Sequence, residues 1–275
     1  MTKGEVLEGQ RASDCPVPLA TAPRRDQLLE AVIAHQQIAV VFQPQIDPKT
    51  GAVVGVEALA RWSGVDSAER LFERARLAGL DERLSRLVQR KALRAAAAWE
   101  GALRRVRLSI NLLPADLLRS GYTQWLIEEI HGAGLDPKRI TVEITESALL
   151  SDFDVMRRRL SRLRDEGVRI ALDDFGTGYA SLAYLAELPL DCLKIDRGLI
   201  TRIAHSERDR IVVRSVVRLA QDLGLQIIVE GVESTSQLRL LAEWGCNLYQ
   251  GFLGAGALDE VELARFVSVS AAEAA

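Results

Sequence analysis

The chain is predicted to fold as an α/β protein, a (β/α)8 TIM-type barrel whose first strand runs antiparallel to the others. Three observations predict it. Short β-branched runs recur eight times along the 275 residues. Helical patterns separate most of those runs. Only the six residues DPKTGA join the first run to the second. Alternating strand and helix implies parallel strands with crossover helices, and eight such units in roughly 250 residues suit a closed barrel. A hairpin-sized loop of turn residues cannot join a parallel pair, so one of the first two strands is reversed.

The elements follow in order. Residues 1–24 mix Pro, Ala, Gly and charge without periodicity and are expected to form a flexible leader. The first two strands are IAVVFQPQI (38–46) and VVGVEAL (53–59), followed by a helical pattern over 67–100. VRLSINL (106–112) precedes a helix over 122–132, and ITVEIT (140–145) precedes one over 152–166. VRIALD (168–173) leads to 179–187, and LDCLKI (190–195) leads to 207–223. LQIIVE (225–230) is followed by 234–244, and NLYQGFL (247–253) by 259–267. The barrel is expected to occupy 25–268, with 269–275 a fraying tail.

Composition narrows the class. Hydrophobic residues make up 48% and charged residues 27%, a soluble globular balance. The net charge of −3 offers no polybasic footprint for a nucleic-acid polymer or a membrane. No apolar run reaches the length of a membrane span, and the N-terminus lacks a secretory pattern. Cys15, Cys192 and Cys246 are too scattered for a disulfide framework or a zinc site and suit a reducing cytoplasm.

The period of two along each strand exposes a further pattern. In ITVEIT, Val142 and Ile144 share one face, and Thr141, Glu143 and Thr145 share the other. In VRIALD, Asp173 sits with Ala171; in VRLSINL, Asn111 sits with Ser109; in LQIIVE, Glu230 sits with Ile228. Each strand keeps an apolar face for the helices and carries a polar residue near its C-terminal end: Glu57, Asn111, Glu143, Asp173, Lys194, Glu230 and Gln250. Parallel barrel strands normally read as apolar throughout. Seven interruptions in step therefore converge on the rim where barrels hold their active sites.

Four carboxylates on that rim, with Asp174 beside them, repel. Two unit charges about 4 Å apart cost about 4 kcal/mol at an effective dielectric near 20. One lysine does not offset that sum, whereas divalent cations do. Carboxylate and amide oxygens without Cys or His suit hard ions such as Mg2+ or Mn2+, and His35, His131 and His205 lie away from the strand ends. The GTGYAS turn (176–181) has Ser181 where a dinucleotide fingerprint needs its third glycine, and Asp173 and Asp174 would repel a bare pyrophosphate. A metal-backed loop whose glycines admit close backbone approach is the better reading.

These blocks resemble the EAL-domain cyclic-di-GMP phosphodiesterases of bacteria. Glu57-Ala58-Leu59-Ala60-Arg61-Trp62 is similar to the signature that names the family. FQPQID, INL, VEITES, ALDDFGTGYASL, LKID, VEGVE and YQGFL follow in the family's order, from about Arg25 to Phe266. The resemblance implies a barrel with one reversed strand and metal-dependent hydrolysis of cyclic di-GMP to linear pGpG with two divalent cations, Mg2+ or Mn2+. It implies that Glu57, Asn111, Glu143 and Asp173 hold the first metal, and that Asp173 bridges to a second held with Asp174. Glu230 is implied as a second-metal or water-positioning carboxylate and general base. Lys194 and Gln250 are implied beside the attacking water, Glu146 as the anchor of the DDFGTG loop, and Glu233 as a supporting residue. Gln43, Leu59 and Arg61 are implied in substrate contact, with Arg61 on a phosphate oxygen. A homodimer is implied, and sensory input is expected from a partner or an upstream domain.

The chain departs from the family pattern at several places. The loop after Trp62, SGVDSAER, is shortened and lacks the usual Pro. Ala75-Arg76 stands for Ala-Glu, Leu113 for a common Ser, and GAGAL for a Pro-containing segment. The first two touch residues near one guanine, and none of the four removes a matched metal ligand. An inactive member acting as a cyclic-di-GMP receptor or protein-interaction module is the alternative; it would lack the signature Glu, the Asp pair or the loop anchor, and all three are present. An unrelated metal-dependent barrel lyase explains the carboxylates but not the ordered motifs.

Overall fold

The computed structural model describes residues 25–146, 152–177 and 182–273. Among the described residues, eight strands close a barrel in sequence order: β1 (Ala39–Ile46), β2 (Val53–Arg61), β3 (Arg107–Asn111), β4 (Ile140–Thr145), β5 (Arg169–Phe175), β6 (Cys192–Ile195), β7 (Gln226–Val229) and β8 (Leu248–Tyr249). β1 runs antiparallel to both its neighbours, β2 and β8, and every other pairing is parallel. The short loop is the cause. Asp47 Oδ1 accepts from the Lys49 N–H at 2.7 Å, and Gly51 takes a left-handed φ of 73°, which returns the chain on itself.

The helices form an outer ring: α1 (Gln27–Ala34), α2 (Ala68–Leu77), α3 (Asp81–Ala98), α4 (Pro114–Leu118), α5 (Tyr122–Gly132), α6 (Phe153–Asp165), α7 (Leu182–Glu187), α8 (Arg197–Ile200), α9 (Glu207–Asp222), α10 (Thr235–Glu243) and α11 (Glu260–Glu273). Their starts carry the expected caps. Ser206 accepts from the Asp209 N–H, and Ser234 and Gln237 form a reciprocal box at α10.

Four details correct the sequence reading. The pattern over 67–100 is two helices, because Gly79 adopts φ 67° and ends α2 before α3 begins. α1, capped by Asp26, precedes the first strand where no helix was expected. The eighth strand shrinks from 247–253 to Leu248–Tyr249, after which Gly251 pairs with Ala255 in an isolated bridge. The fifth strand, expected to end at Asp173, runs on to Phe175 and so includes Asp174.

Three apolar clusters hold the architecture. The largest fills the space between the barrel's outer face and the helices, and a second joins α1, α2 and α3 to β1 and β2. The third is small and lies within the barrel: Ala171, Cys192, Ile228 and Leu248. Each of its members sits two residues before Asp173, Lys194, Glu230 or Gln250 on the same chain run. Along these four runs the inward face thus changes from apolar to polar at one level, and this plug is part of the floor on which the polar cluster stands.

Candidate active site

Five acidic side chains, one lysine and two amides meet at the C-terminal ends of the strands. Lys194 is at their centre and fully buried; its Nζ lies 3.2 Å from Glu57 Oε2, 2.7 Å from Glu143 Oε2, 3.0 Å from Asp173 Oδ1 and 2.9 Å from Glu230 Oε1. The Gln250 amide bridges two of these carboxylates, donating to Glu57 Oε2 at 2.8 Å and Glu230 Oε1 at 2.9 Å. Asn111 Nδ2 donates to Glu57 Oε1 at 2.8 Å.

The adjacent aspartates reach the cluster by different means. Asp173 is an inward strand residue. Asp174 should point away, but its φ of 57° and a register shift between Leu172 and Phe175 break the alternation. A non-glycine residue with positive φ is uncommon and costs energy, which functional sites tolerate. The bulge brings Asp174 within 4.8 Å of Asp173 and Glu230, oxygen to oxygen.

Burial and mutual repulsion dominate the electrostatics. Burial pushes the Glu143 carboxyl well above its usual range, Lys194 opposes this, and Glu57 and Asp173 add to it. Burial also raises Asp173. It lifts Glu230 to about 8, and together with the Asp173 charge it lifts Asp174 to about 6. At Glu57 burial acts the same way, but Lys194 and the hydrogen bonds from Gln250 and Asn111 outweigh it, so this carboxyl is held low. Burial alone would neutralise Lys194; four surrounding carboxylates hold its proton firmly instead.

These residues suit hard divalent cations. Glu57, Glu143 and Asp173 offer oxygens within 4.8 Å of one another, and so do Asp173, Asp174 and Glu230; Asp173 belongs to both groups. Neither group contains Cys or His, which favours Mg2+, Mn2+ or Ca2+ over zinc. Glu143 Oε1 is buried with no hydrogen-bond partner, and an orphaned carboxylate oxygen at that depth is costly unless a cation takes it.

A cleft of about 430 Å3 opens above the cluster. Of the residues singled out in the sequence, Gln43, Glu57, Leu59, Asn111, Asp173, Asp174, Glu230 and Gln250 line it. Glu143 and Lys194 do not line it. Glu146 is buried at the start of the segment after β4, and its Oε1 accepts the Gly176 N–H at 2.9 Å, tying it to the turn after the aspartates. Gly176 has φ 110°, and a Cβ there would meet Leu199, so only glycine brings that N–H to Glu146. Thr177 is the last described residue of the turn, and 178–181, with the end of GTGYAS, lie outside the described residues.

Two residues stand apart. Arg61 is exposed, does not line the cleft, and donates to the Ala60 carbonyl at 2.9 Å. Glu233 is also exposed; its backbone N–H donates to Gln237 Oε1 in the cap of α10. Conversely, sequence reasoning overlooked Gln45, whose buried amide donates to Gln250 Oε1 at 3.4 Å. Its place two residues after Gln43 on the first strand was the available signal. Gln89, which donates to the Asn111 carbonyl at 3.1 Å, carried no signal, because a lone Gln in a helical pattern reads as surface.

Comparison with known proteins gives a consistent result. A family model described as the EAL domain matches residues 25–257. The chain is 35% identical over 247 residues to the cyclic di-GMP phosphodiesterase NbdA of Pseudomonas aeruginosa, covering 88% of this chain and 32% of that protein. It spans about a third of the length of the curated relatives it matches. Among solved structures, the PaMucR phosphodiesterase in a c-di-GMP complex has a TM-score of 0.80 at 33% identity, covering 86% of this chain and 97% of that one. Klebsiella pneumoniae BlrP1, in a manganese and cyclic di-GMP complex, has a TM-score of 0.73 at 30% identity, covering 89% and 58%.

Proposed function

The chain belongs to the EAL domain family, and from that premise we propose that it is a phosphodiesterase that hydrolyses cyclic di-GMP to linear pGpG with two divalent cations, Mg2+ or Mn2+. One observation carries the reading. The carboxylates form two groups of cation-binding geometry that share a single residue, Asp173. Cations a few ångströms apart would activate water and neutralise the charge that develops on the phosphoryl oxygens; they also make an acidic rim attractive to a dianionic ligand.

The chain's own residues take the following parts. Glu57, Glu143, Asp173 and the Asn111 amide would hold the first cation, and Asp173, Asp174 and Glu230 would hold the second. Gln250, braced by Gln45, keeps Glu57 and Glu230 at fixed separation and orients the attacking water. Glu230 accepts that water's proton. Lys194 spreads one positive charge over four carboxylates and contributes beside the water or the scissile phosphate. Glu146 holds the turn after Asp174, and Glu233 supports the site from the α10 cap. Gln43 and Leu59 contact substrate along the cleft. Arg61 leaves the Ala60 carbonyl for a phosphate oxygen, with a charge-assisted bond replacing a neutral one.

The homodimer, the cytoplasmic setting and the separate sensory input belong to this same proposal and rest on the resemblance. Among the described residues no helix is long and apolar enough to cross a membrane. The test is direct: incubate the purified chain with cyclic di-GMP and Mg2+ or Mn2+, and follow pGpG by chromatography. Turnover that chelator abolishes is the expected result. Tight binding without turnover would leave the receptor reading in its place.

A further inference from the structure

Asn111 ends β3, and the pairing of β3 with β2 stops one residue earlier, at Ala58 with Ile110. Its carbonyl is received by a side chain, Gln89 on α3, whose Nε2 donates at 3.1 Å. The other edge of the same peptide is also held, since the Leu112 N–H donates to the Glu143 carbonyl at 2.9 Å. One peptide plane is therefore clamped between α3 and β4. It carries the only amide among the proposed metal ligands, and its partner strand carries Glu143.

Gln89 is itself held on every side. It is buried; its Nε2 also donates to Ser85 Oγ at 2.9 Å, and its Oε1 accepts from the Tyr122 hydroxyl at 2.8 Å. Those partners fix which way the amide points, with its donors toward Asn111. Ser85 Oγ in turn donates to Asp116 Oδ2 at 2.6 Å. Asp116 is fully buried and accepts from the Leu113 N–H at 3.2 Å and from Arg119 at 2.5 Å. The network runs from the start of α4 and α5 through α3 to the end of β3.

Filling this space with apolar side chains would satisfy packing without the cost of burying the polar groups of Ser85, Gln89, Asp116 and Tyr122. The network's end point gives it a purpose. A rotation of the Asn111 peptide swings the side chain that donates to Glu57 at 2.8 Å, and Ser85 and Gln89 also line the cleft beside it.

We propose that Gln89 is a positioning residue for the divalent-cation site: by holding the Asn111 carbonyl it sets the reach of the Asn111 side chain toward the cation shared with Glu57. This rests on the preceding reading that Asn111 helps hold a cation. Tyr122 and Ser85 act through Gln89 by fixing its amide.

A double-mutant cycle on the full chain tests it, with Mn2+ affinity measured by isothermal titration calorimetry. Residues that orient metal ligands typically contribute about 10-fold or more to affinity, so Gln89→Leu is expected to weaken Mn2+ binding by about that factor. Tyr122→Phe, which removes one oxygen and keeps the core filled, should weaken it in the same direction by less, and it serves if Gln89→Leu fails to fold. In an Asn111→Ala background either substitution should change affinity by less than about two-fold, because its route to the cation is gone. Equal losses in both backgrounds, or no loss in the first, would overturn the inference while leaving the metal site standing. If Asn111→Ala binds Mn2+ as tightly as the parent, the ligand assignment itself falls, and the inference with it.

Discussion

Lys194 Nζ stands 2.7 Å from Glu143 Oε2, with both side chains out of contact with solvent. Three further carboxylates lie within 3.2 Å of the same nitrogen. Among the described residues, one ammonium is thus the sole internal cation of a site with a formal excess of negative charge.

Lys194→Met should therefore destabilise the metal-free protein by about 3–5 kcal/mol, the cost of leaving buried charges unpaired. Added Mg2+ or Mn2+ should recover part of the loss. Thermal melts with chelator and with metal measure both. An unchanged melting temperature in chelator would contradict the central role of this lysine.

The pH dependence has a definite sign. Glu230 is raised to about 8 in the folded chain against an ordinary 4.5, so the folded state holds a proton that the unfolded state has released. Stability is then lost as pH rises from about 4.5 through about 8, at up to about 1.4 kcal/mol per pH unit. Urea melts of the metal-free parent and of Glu230→Gln between pH 5 and 8.5 isolate this contribution. The parent should lose ground against the variant as pH rises, and a constant difference would count against it. Asp174, raised to about 6, adds the same trend at lower pH.

Metal stoichiometry should separate the two groups of carboxylates. Asp173→Asn is expected to weaken both cation sites, because Asp173 lies in both. Asp174→Asn should weaken one and spare the other, and Glu57→Ala should weaken the first and abolish turnover. Calorimetric titration with Mn2+ reads the number of sites; two intact sites in Asp173→Asn would remove the bridge.

The turn after the aspartates depends on Glu146. Replacing it with Ala removes the acceptor of the Gly176 N–H; Gly176 is exposed and water can take over that donor, so the loss of stability should be about 1 kcal/mol, the net worth of one hydrogen bond. Turnover should fall at least about 10-fold, equivalent to about 1.4 kcal/mol at the transition state, while the first cation site still fills. A Glu146→Ala chain with parental turnover would show that the turn needs no such anchor.

Strand alternation made much of this site legible beforehand. Glu57, Asn111, Glu143, Asp173, Lys194, Glu230 and Gln250 were separable from their neighbours because a period of two assigns faces locally. Barrel closure then brings those faces to one rim. The reversed strand was equally legible, since six residues cannot cross a barrel. The break at Gly79 was visible in the residue itself but masked by the continuous helical pattern around it.

By itself, then, the sequence determined the barrel, its reversed strand and the residues that face its mouth, because these follow from short-range periodicity and loop length. Only the tertiary structure decided how those residues meet. It placed one lysine among four carboxylates and turned Asp174 back through a positive φ at a bulge. It also set Gln89 against the Asn111 carbonyl and left Arg61 and Glu233 outside the cleft. Each of these depends on contacts between distant parts of the chain, and no local period encodes which partner a buried polar group will find.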